Sequence, residues 1–398
     1  MTPARAGLGR FATVLALPGV RPALTAAFVA RLPIGMMSLS IVLLVSGETG
    51  SYATAGAVAA TQAVAGGITS PLLGRLIDRV GQTPVLVGCG VAFPLCVAAL
   101  IAVASRVDSL LPLIAVAIPF GATYPPLFAA VRALLTQMTE SEDLAATAFA
   151  FDATVQEAFF IAGPLLVALL VAIASPQAAL VFVAVVTSAG TLAFAATAAS
   201  RSWEPGARHD RLFGALASPG VRTLLVVSAA FGLAFGTLEV TMPAFADERG
   251  SAATGGVLLA ALSLGSMLGG VWYGSRSFAA HLSTQMIGFC AVFAAALIPL
   301  AFAESIPVMI VLMAMAGFFV APWAASSAAL VGRLAPGGTV TEAYTWEMTA
   351  VIAGFALGGV LSGVLVESAG VREALIAAAV AAAASVAIAW ARRDTLRG

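Results

Sequence analysis

The chain contains no lysine and no asparagine, and only 10% of its 398 residues are charged. A water-soluble protein of this length would carry about 25%. With 61% hydrophobic residues and a mean hydropathy of +1.03, the deficit excludes an ordinary soluble fold and leaves a polytopic membrane protein. Nineteen basic residues, all arginine, balance nineteen acidic ones, and zero net charge argues against a nucleic-acid surface. The only histidines, His209 and His281, fall in presumed loops. Cys89, Cys96 and Cys290 lie inside apolar runs and read as small core residues. No metal centre and no cofactor are expected from so few scattered ligands. No Gly-x-x-x-x-Gly-Lys loop occurs, so ATP drive is not expected. A polytopic enzyme acting on lipid would need Asp, His or metal ligands gathered at one membrane face, and none gather; the chain is expected not to be an enzyme. No short apolar core with a small-residue cleavage site follows the first ten residues, so no removable signal peptide is expected.

Long apolar runs are what the sequence has in their place. A spanning helix needs about 20 apolar residues. Charge-free runs of that size occupy 49–74, 80–105, 109–131, 250–275, 282–303 and 305–332. The run 158–200 holds two spans, with Ser175-Pro176-Gln177 as the turn between them. Four more near 22–46, 222–246, 342–366 and 371–391 bring the expected total to twelve. Arginine placement orients them. With the N-terminus inside, fifteen loop arginines fall on the cytoplasmic side and only Arg106, Arg249 and Arg372 outside. Both termini are therefore expected in the cytoplasm, with the chain integral to the plasma membrane and surrounded by its lipid.

An internal repeat runs at an offset near 200 residues. Pro18-Gly19-Val20-Arg21 recurs as Pro219-Gly220-Val221-Arg222. Glu48-x-Gly50-Ser51-x-Ala53-Thr54 recurs as Glu248-x-Gly250-Ser251-x-Ala253-Thr254. Gly121 and Pro126 have partners in Gly317 and Pro322. Phe149-x-Phe151-Asp152-x-Thr154 is echoed by Tyr344-x-Trp346-Glu347-x-Thr349. The expected fold is all-α: twelve transmembrane helices in two pseudo-symmetric six-helix bundles, 1–200 and 218–398, joined by a polar cytoplasmic linker at 201–217.

Between the second and third spans lies Gly74-Arg75-Leu76-Ile77-Asp78-Arg79-Val80-Gly81. It resembles the loop between helices two and three of the major facilitator superfamily, Gly-x-x-x-Asp-Arg/Lys-x-Gly. Gly74, Asp78, Arg79 and Gly81 match; the basic pair that usually follows is Gln82 and Thr83 here. Parallel halves about a membrane-normal axis are also what that family shows. The resemblance implies a secondary transporter working by alternating access, and it implies that Asp78 faces 341–342 at the start of the eleventh helix. In the second half Gly74 maps to Gly274 but Asp78 maps to Phe278, so the two halves should latch asymmetrically.

Ionisable groups inside spans cost about 2.5–3.5 kcal/mol each and need a partner or an aqueous path. Arg31 lies about ten residues into the first span, and Glu157 in the fifth is at comparable depth. The resemblance places those spans in one half, so an Arg31–Glu157 pair is expected, either fixing packing or carrying a proton on Glu157. Asp152 and Glu347, at matching repeat positions, read as acids favoured by a helix dipole or as gate residues facing Arg75, Arg79 or Arg132. Glu239 lies toward the outer half of the seventh span, where the repeat offers no acidic mate; it reads as a proton or cation site, or as a wet residue near the interface. The resemblance makes spans one, four, seven and ten the cavity wall, and Tyr124, Phe128, Phe319, Trp323 and Gln62 are its candidate lining. Pro119, Pro125, Pro126 and Pro322 bend helices four and ten beside these rings. Gly163-Pro164 partially matches the Gly-Pro-x-x-Gly-Gly of drug–proton antiporters in the fifth helix. Together these readings point to a monomer that exports a small hydrophobic or amphipathic compound in exchange for protons. The alternative is proton symport importing a sugar or metabolite, which the lack of asparagine disfavours.

Overall fold

The structure is a computed structural model that describes residues 9–107, 109–139, 141–205, 214–249 and 254–397. Outside these lie the middle of the expected linker, Arg5, Asp108, His209, and the repeat members Gly250, Ser251 and Ala253. The described chain is helical and contains no strand. In order the helices are α1 Gly9–Leu15, α2 Val20–Arg31, α3 Met37–Thr49, α4 Tyr52–Val80, α5 Gln82–Ala104, α6 Leu110–Ala122, α7 Leu127–Met138, α8 Glu142–Ile173, α9 Pro176–Ala196 and α10 Ala198–Arg201. After the linker come α11 Pro219–Asp247, α12 Gly255–Gly274, α13 Leu282–Leu297, α14 Ile306–Gly317, α15 Val320–Leu334, α16 Val340–Ser368 and α17 Val371–Ala391.

Ten helical stretches are long and apolar enough to cross a bilayer, counting α6 with α7 and α14 with α15 as one each. Two further passages fall outside that count, and with them the fold is consistent with twelve. One is α2 with α3, interrupted by a 3-10 turn at Leu32–Gly35 where Pro33 stops α2. The other is α4, whose 29 residues reach about 43 Å. The breaks in the fourth and tenth passages, 123–126 and 318–319, overlap at one repeat-related position, Thr123 and Phe319 at the offset of Gly121 and Gly317.

In the first bundle α4 packs on α6 and α3, and α9 on α5 and α2; in the second, α11 packs on α16 and α17, and α13 on α15 and α17. The bundles meet where α8 lies on α12 and α15 and where α4 and α7 lie on α16. Small residues permit these approaches. At Gly358, for example, any side chain would run into the Leu233 carbonyl of α11.

We call the face bearing Arg75, Arg79, Arg276 and Arg333 the basic face. There the bundles share one continuous apolar core, including Leu127, Leu134, Phe149, Val331 and Tyr344. Toward the opposite face the first bundle has a separate core, with Met36, Ile41, Phe93, Leu113, Phe120 and Leu180. The molecule is thus packed shut at its basic face. A groove of about 700 Å³ between α13 and α17, floored by alanines, faces the bilayer. Phe302 and Trp390 close its ends beneath Arg372 and Arg393, the aromatic-and-cation arrangement of a membrane interface.

Candidate functional site

Five helices converge on a buried chain of polar groups in the basic half of the molecule. Arg31, the last residue of α2, is 1% exposed and lies about 17 Å along its helix. Its Nη1 donates to Asp152 Oδ1 at 2.5 Å and its Nη2 to Gln156 Oε1 at 2.5 Å. The other Asp152 oxygen accepts from Arg132 Nε at 3.4 Å. Arg132 then crosses to the second bundle, donating from Nη1 to Glu347 Oε2 at 3.5 Å. Ser327 of α15 donates to the remaining Glu347 oxygen at 2.5 Å. The Phe128 ring lies 3.8 Å from the Arg132 guanidinium carbon and 5.0 Å from that of Arg31. Two guanidiniums and two carboxylates balance, which is what lets four ionisable groups sit out of water. Phe128 adds its ring face to both cations.

This arrangement corrects two sequence expectations. Arg31 pairs with Asp152 and Gln156, not with Glu157. Neither Asp152 nor Glu347 sits in the first turn of its helix, so the dipole reading fails for both: Asp152 is ten residues beyond the start of α8 and Glu347 seven beyond that of α16. Glu157, one and a half turns further along α8, faces the other bundle instead. Ser266 of α12 donates to it at 2.9 Å, and Ser263 is a second hydroxyl partner. Among the described residues it has no cationic partner.

The signature segment forms the second element of the site. Asp78, in the last turn of α4, accepts the backbone N–H of Thr341 at 3.0 Å and of Glu342 at 2.7 Å. These belong to the first turn of α16, whose amides lack intrahelical acceptors and favour an anion. The close approach depends on Gly74: a Cβ there would stand 2.6 Å from Thr345 Oγ1 and 3.0 Å from the Thr341 carbonyl. Gly81 is required for a different reason. It joins α4 to α5 at φ 93°, where a side chain is strained although nothing lies nearby. Arg79 is exposed and, with Arg75, faces the Glu342 carboxylate. Thr136 and Tyr344 share a hydrogen bond of 2.9 Å across the same seam.

The remaining candidates are dispersed. Tyr124 packs edge-on to Phe93 in the first bundle, its ring centroid 5.6 Å away. Gln62 is buried where α4 touches Gly121. Trp323 stacks on Phe231 of α11 at 3.6 Å and 7° between planes, inside the second bundle, and Phe319 neighbours Phe318 at the helix break. Trp323 Nε1, Arg31 Nε and Ser228 Oγ are buried polar atoms without a hydrogen-bond partner among the described residues. Glu239 is exposed on α11, eight residues from its end, and among the described residues its carboxylate has no hydrogen-bond or ion-pair partner. Sequence reasoning missed Ser327, Ser263 and Ser266, whose only signal is a hydroxyl in an apolar run.

Two helical bundles joined across one face by a buried chain of charges have the architecture of a membrane transporter. The model of the Major Facilitator Superfamily matches residues 23–288, and the chain belongs to that family. No curated relative matches its sequence. Its fold is similar to that of a bacterial homologue of the iron transporter ferroportin in an outward-facing state, at TM-score 0.79 and 12% identity over 95% of this chain and 100% of the other. It is also similar to the human organic anion transporter MFSD10 (TETRAN), at 0.72 and 15% over 94% and 100%, and to the E. coli fucose:proton symporter FucP, at 0.70 and 13% over 92% and 98%.

Proposed function

We propose that this transporter exports a small hydrophobic or amphipathic compound in exchange for protons. The observation that carries the coupling is Glu157, a carboxylate at the seam between α8 and α12 held by serine hydroxyls and by no cation among the described residues. Such a group is free to exchange a proton without breaking an ion pair, whereas Asp152 and Glu347 are each held by arginine. Glu239, exposed toward the opposite face and without a partner among the described residues, is the second proton or cation site. Arg31 acts by holding Asp152. The low charge of the chain and its lack of asparagine support a substrate that is mostly apolar; the rings of Phe128, Tyr124, Phe319 and Trp323, and Gln62, are dispersed and do not carry that reading.

The gate in this reading is the Arg132–Glu347 contact with Asp152 behind it, together with the Gly74–Gly81 segment on α16. In this reading the basic face is cytoplasmic, and the closed seam lies at the inner side of the membrane. The halves are 1–200 and 218–398 about the linker 201–217, and the working unit is a monomer in the plasma membrane. Symport is the second reading, favoured by the likeness to the fucose:proton symporter.

Proteoliposomes with an imposed pH gradient test the proposal, using an amphipathic fluorescent dye and a labelled sugar as probes. Gradient-driven dye movement opposite to the protons supports export. Sugar moving with the protons supports the alternative. Glu157→Gln and Glu239→Gln are each compared with the parent, and loss of gradient dependence in at least one is expected. Undiminished coupling in both variants rejects the assignment.

A further inference from the structure

Alanine decides how α13 and α17 meet. The helices touch where the buried Cys290 thiol and Ser385 hydroxyl share a hydrogen bond. Beside that contact α13 presents Ala291, Ala294 and Ala295, and α17 presents Ala379, Ala383 and Ala387. Methyl groups are too short to close the space between two helix cylinders, so the groove of about 700 Å³ stays open to the bilayer. From Leu375 to Trp390 it runs about 22 Å, which spreads its volume over a mean cross-section of about 30 Å². A helix with its side chains is about 10 Å across and occupies about 80 Å². The groove fits a single unbranched chain and is too narrow to seat the helix of a second copy.

The two ends of the groove differ in charge. At the Phe302 end Arg372 is followed by Glu373, and Glu304 lies two residues beyond the phenylalanine. At the other end Trp390 is 61% exposed, and the Arg393 guanidinium carbon stands 5.0 Å from its ring centroid. Arg392 and Arg397 accompany Arg393, against Asp394 alone. Neither Arg392 nor Arg393 makes an ion pair among the described residues. This cationic end belongs to the basic face, since Arg333 donates from Nη2 to the Arg397 carbonyl at 3.4 Å.

We propose that the groove between α13 and α17 holds one acyl chain of an anionic phospholipid whose headgroup is bound by Arg392 and Arg393. The chain runs from Trp390 toward Phe302. One leaflet of hydrocarbon is about 15 Å deep, so a groove of about 22 Å lets the chain lie extended along the alanines past the midplane. There it supplies the contacts that the alanine methyls leave unmade. Trp390 marks the interface, where an indole lies level with the headgroups. The guanidiniums above it meet the phosphate with paired N–H donors. A basic patch between spanning helices is the setting in which anionic headgroups are selected, and each arginine near the surface strengthens binding about fivefold. The opposite end, where acids outnumber the arginine, selects no such headgroup. The site makes no use of the direction or the substrate of transport and stands apart from both.

The test reads quenching of Trp390, the one exposed tryptophan among the described residues, by lipids with brominated acyl chains. The full chain is reconstituted in phosphatidylcholine liposomes containing increasing fractions of brominated phosphatidylglycerol or brominated phosphatidylcholine, and Trp390→Phe supplies the background. Half-quenching is expected at a phosphatidylglycerol fraction about fivefold below that of phosphatidylcholine. Arg392→Gln combined with Arg393→Gln should bring the two lipids together. Ala383→Leu combined with Ala387→Leu fills the groove, keeps every charge and should also remove the preference. If the leucine variant fails to fold, the arginine pair carries the test. Equal quenching by the two lipids in the parent, or a preference that survives in either folded double variant, overturns the proposal. So does energy transfer between donor- and acceptor-labelled copies that the leucine variant abolishes, since it assigns the groove to a second copy.

Discussion

Replacing Glu347 by glutamine isolates one bond of the buried chain. The amide keeps the shape of the side chain and leaves a carbonyl oxygen for Ser327 Oγ, 2.5 Å away in the parent. What it removes is the charge facing Arg132 at 3.5 Å. At an effective dielectric constant of about 20, that contact has a gross Coulomb energy of about 5 kcal/mol. Most of this is offset by the desolvation of the two groups. Arg132 also retains Asp152 and the Phe128 face, so the guanidinium is not abandoned. A net loss of about 1–2 kcal/mol is expected, and it falls on the closed arrangement alone, because Arg132 and Glu347 belong to opposite bundles. The closed-to-parted ratio should drop about 5- to 30-fold. Distances between spin labels, one on each bundle at the basic face, read this directly, and thermal unfolding reports whether the bundles themselves survive. Arg132→Gln combined with Glu347→Gln completes a double-mutant cycle, in which the loss should be less than the sum of the two singles. If Glu347→Gln leaves the distances unchanged, or if the two losses simply add, the contact does not hold the seam.

The two glycines of the signature segment should fail in different ways. Gly74→Ala thrusts a methyl group at Thr345 of the other bundle, 2.6 Å from Oγ1 and 2.8 Å from Cγ2, and should part the basic face with little change in melting temperature. Gly81→Ala meets no neighbour but strains the backbone at φ 93°, so it should cost about 1 kcal/mol of stability in either state and leave the distances alone. The reverse pattern would show that the packing at α4 and α16 has been misread. Asp78→Asn keeps one acceptor oxygen for the amides of Thr341 and Glu342 but loses the charge that favours the helix N-terminus. A shift toward the parted state of about 1 kcal/mol, or fivefold, is expected in the same distance measurement, and a parent-like distribution would refute it.

The spans, the fold and the signature loop were legible because each rests on a feature local in sequence: an apolar run, a repeat, two glycines around an aspartate. The partners of the buried charges were not local, and there the reading slipped by less than two helical turns. With the charge-free run of the fifth span starting only at 158, Asp152 was placed near the cytoplasmic end of that helix, and Glu157, five residues deeper, was taken as the acid level with Arg31. In the structure α8 begins at Glu142, sixteen residues earlier, which carries Asp152 to the depth of Arg31 and turns Glu157 toward Ser266. An apolar run marks where a helix is allowed to meet lipid; it does not mark where the helix begins when its first turns lie against another bundle. The repeat held the correcting signal. Asp152 and Glu347 occupy matching positions, yet at the offset relating Gly121 to Gly317 the mate of Arg132 is Ala328. Two related carboxylates therefore had one arginine between them, and neutrality required a second cation on the same side of the molecule as Asp152. Within the spans Arg31 was the one residue able to supply it.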